Sequence, residues 1–366
     1  MATFFNQILD AFKGSFTRKA EGLSVVGLDI SSTAIKAVQL RRDRGRAILE
    51  TYGEVFLGPY GGLAAGQAVT LPAPKLAEAL VDLCKGAKIT AQRVGVAVPL
   101  RSSLISLIEL PSVGEKQLNE MIPIEARKYI PVPISEVTLD WWVIPKRETD
   151  NTKVEVLMVA IHQATLAQYK ELAAAAQLKP ELFEIESFSA IRAVAGKDMI
   201  PTMIIDLGAS STKITIVDYG IIRVSHVVAR GAQDITFALS KSLSLSFDEA
   251  EKIKRDSGIS GQMGADKNIS SVASSVVEFV FFEANKVLAA YQKKYNRAVG
   301  RAILIGGGAL LKGISEVAGH SLEIPTVLGD PFSKVEAPAF LENVLLTVGP
   351  EFAVALGIAL REMQDL

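Results

Sequence analysis

Two apolar runs flank a tight polar turn in Ile204-Ile205-Asp206-Leu207-Gly208-Ala209-Ser210-Ser211-Thr212-Lys213-Ile214-Thr215-Ile216-Val217. The runs are short, β-branched and bounded by turn residues, so they read as strands. A near-copy stands far upstream, Val25-Val26-Gly27-Leu28-Asp29-Ile30-Ser31-Ser32-Thr33-Ala34-Ile35-Lys36-Ala37-Val38. Each copy runs apolar strand, Asp, apolar residue, small residue, hydroxyl cluster and second strand. One such hairpin constrains little. Two of them, half a chain apart, imply a duplicated fold with a ligand held between the copies.

The chain has 366 residues, too long for one ordinary core, so two or more domains are expected. A net charge of −1 supplies no basic field to draw in nucleic acid or anionic lipid. The single Cys84 excludes an internal disulfide and fits a reducing compartment. His162, His226 and His320 follow no ligand spacing and read as core or surface residues. No run reads as a membrane span or a secretory signal, which points to a protein that stays in the cytoplasm.

In chain order, Phe5, Ile8, Leu9, Phe12 and Phe16 follow helical spacing, with Lys13, Arg18 and Lys19 giving a basic side. That segment reads either as a helix on a membrane or partner surface, or as a helix packed on its own protein or a frayed end. Three strands are expected over 24–57, a loop over 58–74, a helix over 74–87 and a buried strand over 93–98. Residues 100–180 have a different texture: a strand, a helix carrying Pro123 that should kink or break it, the run Tyr129-Ile130-Pro131-Val132-Pro133-Ile134, a strand bearing Trp141 and Trp142, a charged turn over 146–153, a strand and an Ala-rich helix. This is expected to be a small α+β insertion. Beyond it come a strand over 182–185 leading into a helix at Glu186, the second hairpin, and helices over 233–243, 247–256 and 270–295. A strand over 302–305 runs into Gly306-Gly307-Gly308-Ala309, a short strand spans 325–328, and a helix over 350–363 closes the chain.

A hairpin turn with small and hydroxyl residues can offer backbone N–H groups and Ser/Thr oxygens to phosphate. In the two copies the candidates are Ser31, Ser32 and Thr33, and Gly208, Ala209, Ser210, Ser211 and Thr212, with Lys36 and Lys213 as added charge. Asp29 and Asp206 end their strands where a carboxylate holds Mg²⁺ through water. The glycine run Gly306–Gly308 permits close approach of a flat ring or a phosphate. For any one of these a satisfied turn explains the residues equally well; the pairing of the hairpins favours a ligand. There is no P-loop and no dinucleotide fingerprint.

These motifs, in this order, resemble the actin/Hsp70/sugar-kinase ATPase superfamily. The resemblance implies an α/β, duplicated actin/Hsp70-like fold, two lobes around a nucleotide cleft, binding ATP or ADP with Mg. Ala250-Glu251-x-x-Lys254 resembles the helix that reaches the adenosine and ribose in the FtsA branch, and Gly306–Ala309 the turn that contacts adenosine. Glu186 matches an acidic residue that acts near the attacking water in some members. The insertion at 100–180 is also FtsA-like. Within that branch, Gly27-Leu28-Asp29-Ile30 with Lys36, Glu125-Ala126-x-Lys128-Tyr129-Ile130-Pro131-Val132-Pro133-Ile134 with Leu139-Asp140, and Ile303 with Gly306–Ala309 resemble the PilM family of type IV pilus assembly over roughly 22–362.

The resemblance implies a nucleotide-binding scaffold at the cytoplasmic face of the inner membrane. It would dock the cytoplasmic tail of a membrane-anchored, PilN-like partner, with pilus motor or platform proteins and self-association as further contacts. Membrane contact would be peripheral, with no nucleic acid. An FtsA-like filament protein and a small-molecule kinase are the alternatives. One departure stands out: the family's first turn is usually Asp-x-Gly, and here it is Asp29-Ile30-Ser31. This favours binding with slow or absent hydrolysis. The expected division is an N-terminal segment at 1–21; lobe 1 at 22–99, 181–200 and 350–366; the insertion at 100–180; lobe 2 at 201–232 and 301–349; and a helical subdomain at 233–300.

Overall fold

The computed structural model describes residues 23–145, 152–196, 198–259 and 265–364. The basic amphipathic segment expected at 1–20, and most of the charged turn at 146–153, lie outside them.

The chain opens with β1 (Ser24–Ile30), β2 (Ala34–Asp43) and β3 (Arg46–Phe56), then α1 (Ala73–Gly86) and β4 (Arg93–Val98). The insertion follows: β5 (Ser103–Pro111), α2 (Glu115–Ala126), β6 (Val137–Val143) and β7 (Lys153–His162). Then come α3 (Gln163–Ala175), β8 (Lys179–Ile185) and α4 (Glu186–Val194). The second half holds β9 (Thr202–Leu207), β10 (Thr212–Asp218), β11 (Ile221–Val228), α5 (Ala232–Leu243), α6 (Phe247–Ser257) and α7 (Ala265–Tyr295). It ends with β12 (Arg301–Ile305), α8 (Ile314–Leu322), β13 (Thr326–Leu328), α9 (Glu342–Val348) and α10 (Ala353–Gln364).

The duplication is explicit in the sheets. One has the order β3-β2-β1-β4-β8 and the other β11-β10-β9-β12-β13. In each, the three hairpin-linked strands are antiparallel and the last two join in parallel. Parallel neighbours need a long crossover. The insertion and α3 together supply it between β4 and β8. The inserted strands form their own antiparallel sheet, β5-β7-β6.

The middle of β9, Met203-Ile204-Ile205, is a continuous apolar run because both its faces are covered. Ile204 faces the core shared with the first sheet, while Met203 and Ile205 face a second core under α5 and α7. β12 divides in the same way, Ile303 and Ile305 against Ala302 and Leu304. Tyr169, Leu172 and Ala173 of α3 also enter the first core.

α4 and α10 cross between the lobes at backbone contact. A Cβ on Gly357 would stand 1.9 Å from the Ser189 carbonyl oxygen, and one on Gly27 would stand 2.0 Å from that of Ala355. Only glycine lets these backbones meet, and the crossing sets the first residue of α4, Glu186, at the cleft.

Three expectations change. Residues 339–364 are apolar enough by composition to cross a membrane, but 61% of their most apolar 18 residues is buried inside the fold and the stretch is broken into short helical pieces. α9 is a helix in the stretch after 328, which the sequence reads as a Pro-containing loop; at 7 residues it is too short for clear periodicity. α2 continues through Pro123 with Ile122 and Ala126 buried, because that packing holds the final turn in place.

Candidate functional site

The cleft between the two sheets is lined by Asp29, Ser31, Thr33 and Lys36 of the first hairpin and by Asp206, Gly208, Ala209 and Lys213 of the second. Glu186, Glu251, Lys254 and Gly306–Gly308 complete the expected part of its wall. Residues from opposite ends of the chain thus converge because the two sheets face each other around the α4–α10 crossing.

The remaining expected residues lie elsewhere. Thr212 is fully buried and donates to the Arg230 carbonyl oxygen at 2.9 Å, because alternation turns it away from the cleft. Ala309 is buried in the second core. Ser211 closes the turn through its carbonyl, which accepts from Gly208 N–H at 3.1 Å. Ser32 and Ser210 cap the two hairpins, and their hydroxyls hydrogen-bond each other across the lobes at 3.1 Å.

Strand register pairs Asp29 with Lys36 and Asp206 with Lys213. The two pairs behave differently. Lys213 Nζ donates to Asp206 at 2.9 Å and to Glu186 of the other lobe at 3.0 Å. Lys36 instead takes Glu54 at 2.7 Å and Glu351 at 3.8 Å. The cause is the third strand. Opposite Lys36 on β3 stands Glu54, whereas opposite Lys213 on β11 stands Val227. An acid on the outer strand draws the first lysine away; an apolar residue leaves the second with its aspartate.

The charges follow. Burial and the neighbouring Glu186 push Asp29 up to about 7, against the opposing pull of Lys36 and Lys213. Burial would lower Lys213, but Asp206 and Glu186 outweigh it and hold the ammonium well above the usual lysine range. Lys36 is raised in the same balance, burial being opposed mainly by Glu54 and Glu351.

The two turns also differ. Ser31 Oγ accepts from Thr33 N–H at 3.3 Å and Ala34 N–H at 3.1 Å, and donates to the Ala34 carbonyl at 2.9 Å. This hydroxyl occupies N–H groups of its own turn. Gly208 has no such group, and a Cβ there would stand 2.7 Å from the Ser211 carbonyl oxygen. Space, not a left-handed backbone, calls for glycine at 208. Gly306 needs both: its φ is +83°, and a Cβ would lie 2.4 Å from Asp206 Oδ1.

On the far wall Lys254 Nζ reaches Glu251 at 2.6 Å and Thr236 Oγ1 at 3.0 Å, with burial lowering its pKa. Glu251 also takes Arg255 at 2.8 Å. This pair lines the cleft as an internally neutralised couple. Glu186, expected as an acid near an attacking water, has both oxygens engaged, accepting from Leu100 N–H at 2.7 Å and from Lys213. Among the described residues, no three Asp, Glu, His or Cys side chains are grouped to hold a metal ion. Asp206 and Glu186 share the Lys213 ammonium. The acids present therefore do not fit an ion they ligate directly.

Sequence reasoning missed Glu54, Glu351, Arg255 and Gln233, which also line the cleft. Glu54 was reachable through the hairpin register. Gln233 and Glu351 carried no motif; Gln233 accepts from Ala68 N–H at 2.6 Å and so spans the two lobes.

The paired sheets, facing hairpins and glycine turn define a class: this is an actin-like ATPase fold. A family model, type IV pilus assembly protein PilM, matches residues 27–363, and the chain belongs to that family. A solved PilM–PilN type IV pilus biogenesis complex is similar to it at 25% identity, over 92% of this chain and 98% of that one, with TM-score 0.78. The ethanolamine utilization protein EutJ from Carboxydothermus hydrogenoformans shares the fold at 15% identity, 94% and 91% coverage and TM-score 0.55. MreB5 of Spiroplasma citri, solved bound to ADP, shares it at 13% identity, 92% and 95% coverage and TM-score 0.51.

Proposed function

We propose that this PilM-family protein is a nucleotide-binding scaffold of the pilus assembly platform. It takes ATP or ADP between its two phosphate hairpins, at the cytoplasmic face of the inner membrane. It docks the cytoplasmic tail of a PilN-like membrane-anchored partner. The observation that carries the reading is the convergence of both hairpins, Glu186 and Gly306–Gly308 on one cleft. Support for the partner comes from the similar PilM–PilN complex.

Nucleotide would bridge lobes that already touch through Ser32–Ser210, Lys213–Glu186 and Gln233–Ala68. Its loss or exchange would shift their relative position and so the docking surface. Each Glu186 oxygen already accepts a hydrogen bond, one of them from an ammonium, which weakens the carboxylate as a base towards water and favours binding and switching over turnover. The test is the nucleotide content of the purified protein, together with capture on an immobilised PilN-like tail peptide with and without nucleotide. Bound ATP or ADP and nucleotide-sensitive capture are expected. Rapid phosphate release with a small-molecule acceptor would overturn the scaffold reading in favour of a kinase.

A further inference from the structure

We propose that Lys213 is a tethered cation that takes the place of a divalent metal ion in this cleft, so that a nucleoside phosphate binds here without one. This rests on the nucleotide reading above and specifies the form in which the ligand is taken.

The ground is geometric. Asp206 ends β9 in one lobe, and Glu186 begins α4, which packs on the other. A cation shared by the two is what a bridging ion would be. The ammonium already holds that position, 2.9 Å from one carboxylate and 3.0 Å from the other. It does not leave readily, because both acids favour its charged form. An ammonium has three donors. Two serve the carboxylates, and one remains for an anion. Nζ also lies 3.9 Å from the point that a Cβ on Gly208 would occupy, which sets the charge against the second turn, where phosphate is expected.

A divalent ion ligated directly by these two carboxylate oxygens would have to displace this group. Mg²⁺ needs a near-octahedral oxygen shell at about 2.0–2.1 Å. It cannot form that shell on the same two oxygens while an ammonium is bonded to both. Lys36, the matching residue of the first hairpin, is not free to compensate in either direction, being engaged by Glu54 and Glu351. The substitution has a chemical consequence. An ammonium offsets phosphate charge and donates a hydrogen bond, but it carries no coordinated water to deliver to phosphorus. A cleft built this way holds a nucleotide and does not turn it over quickly.

The test uses the full chain, stripped of nucleotide, and fluorescent ADP and ATP titrated in excess Mg²⁺ and in excess EDTA. Affinities within about threefold of each other are expected. Binding more than about tenfold weaker in EDTA overturns the proposal. A second arm titrates Mn²⁺ alone, followed by electron paramagnetic resonance. The wild type should take up no stoichiometric Mn²⁺, and Lys213→Gln should gain a site and become metal-dependent for ADP. Stoichiometric uptake by the wild type, or unchanged metal independence in Lys213→Gln, also overturns it. Absence of nucleotide binding in both buffers overturns the nucleotide reading itself, and this proposal with it.

Discussion

Lys213 bonds Asp206 directly across its hairpin at 2.9 Å, while Lys36, the residue in the same register position of the other copy, turns from Asp29 to Glu54 at 2.7 Å. The two hairpins are therefore alike in strand pairing and unequal in charge. One holds a closed ion pair that reaches into the other lobe. The other leaves a carboxyl that burial and Glu186 push up to about 7.

Asp206 sets both the Lys213 ammonium and the floor beneath Gly306. Asp206→Ala should lower ADP affinity by at least about tenfold, or about 1.4 kcal/mol. Fluorescence anisotropy with labelled ADP measures this. Unchanged affinity would mean that the hairpin is structural only.

Ser31 spends its hydroxyl on the N–H groups of Thr33 and Ala34. Ser31→Gly should release both donors and tighten nucleotide binding several-fold, by roughly 0.5–1.5 kcal/mol for one net hydrogen bond. Calorimetric titration of the variant against wild type decides it. Weaker binding would show that the hydroxyl itself contacts the ligand.

Asp29 is raised in the fold to about 7 from 3.8. The folded state thus keeps a proton that the unfolded state releases. This contribution to stability is full below about pH 4 and is lost as pH rises towards 7. Asp29→Asn should match wild type near pH 4 and exceed it near pH 8, by on the order of 2–4 kcal/mol. Glu54→Gln should free Lys36 to return to Asp29 and flatten the same slope. Thermal melts across pH read both; parallel wild-type and Asp29→Asn curves would refute the assignment.

At the lobe junction, Gly357→Ala places a methyl group 1.9 Å from the Ser189 carbonyl oxygen. The helices must separate, with an expected loss of about 3 kcal/mol or more. A fall in melting temperature by circular dichroism is the measure. Gly114→Ala, where a Cβ meets open space, serves as the control.

Much of this was legible in the chain. The hairpins announce themselves through β-branched runs around Asp and hydroxyl clusters, since local geometry alone makes a tight turn there. The glycine run after Ile305 was equally plain, and strand register would have revealed Glu54 opposite Lys36. The Thr212 hydroxyl turns to the Arg230 carbonyl, a direction that shows only when alternation is followed along β10. α9 was missed because a short helix owes its stability to packing more than to pattern.

The sequence by itself determined the duplication, the two turns and the substitution of Ser31 for glycine, all of which depend on neighbours in the chain. Only the tertiary structure decided what the charges do. Glu186, Glu351 and Gln233 come from distant segments and meet the hairpins because two sheets close around the α4–α10 crossing. A lysine chooses among carboxylates by distance and burial, and neither is a property of one stretch of chain.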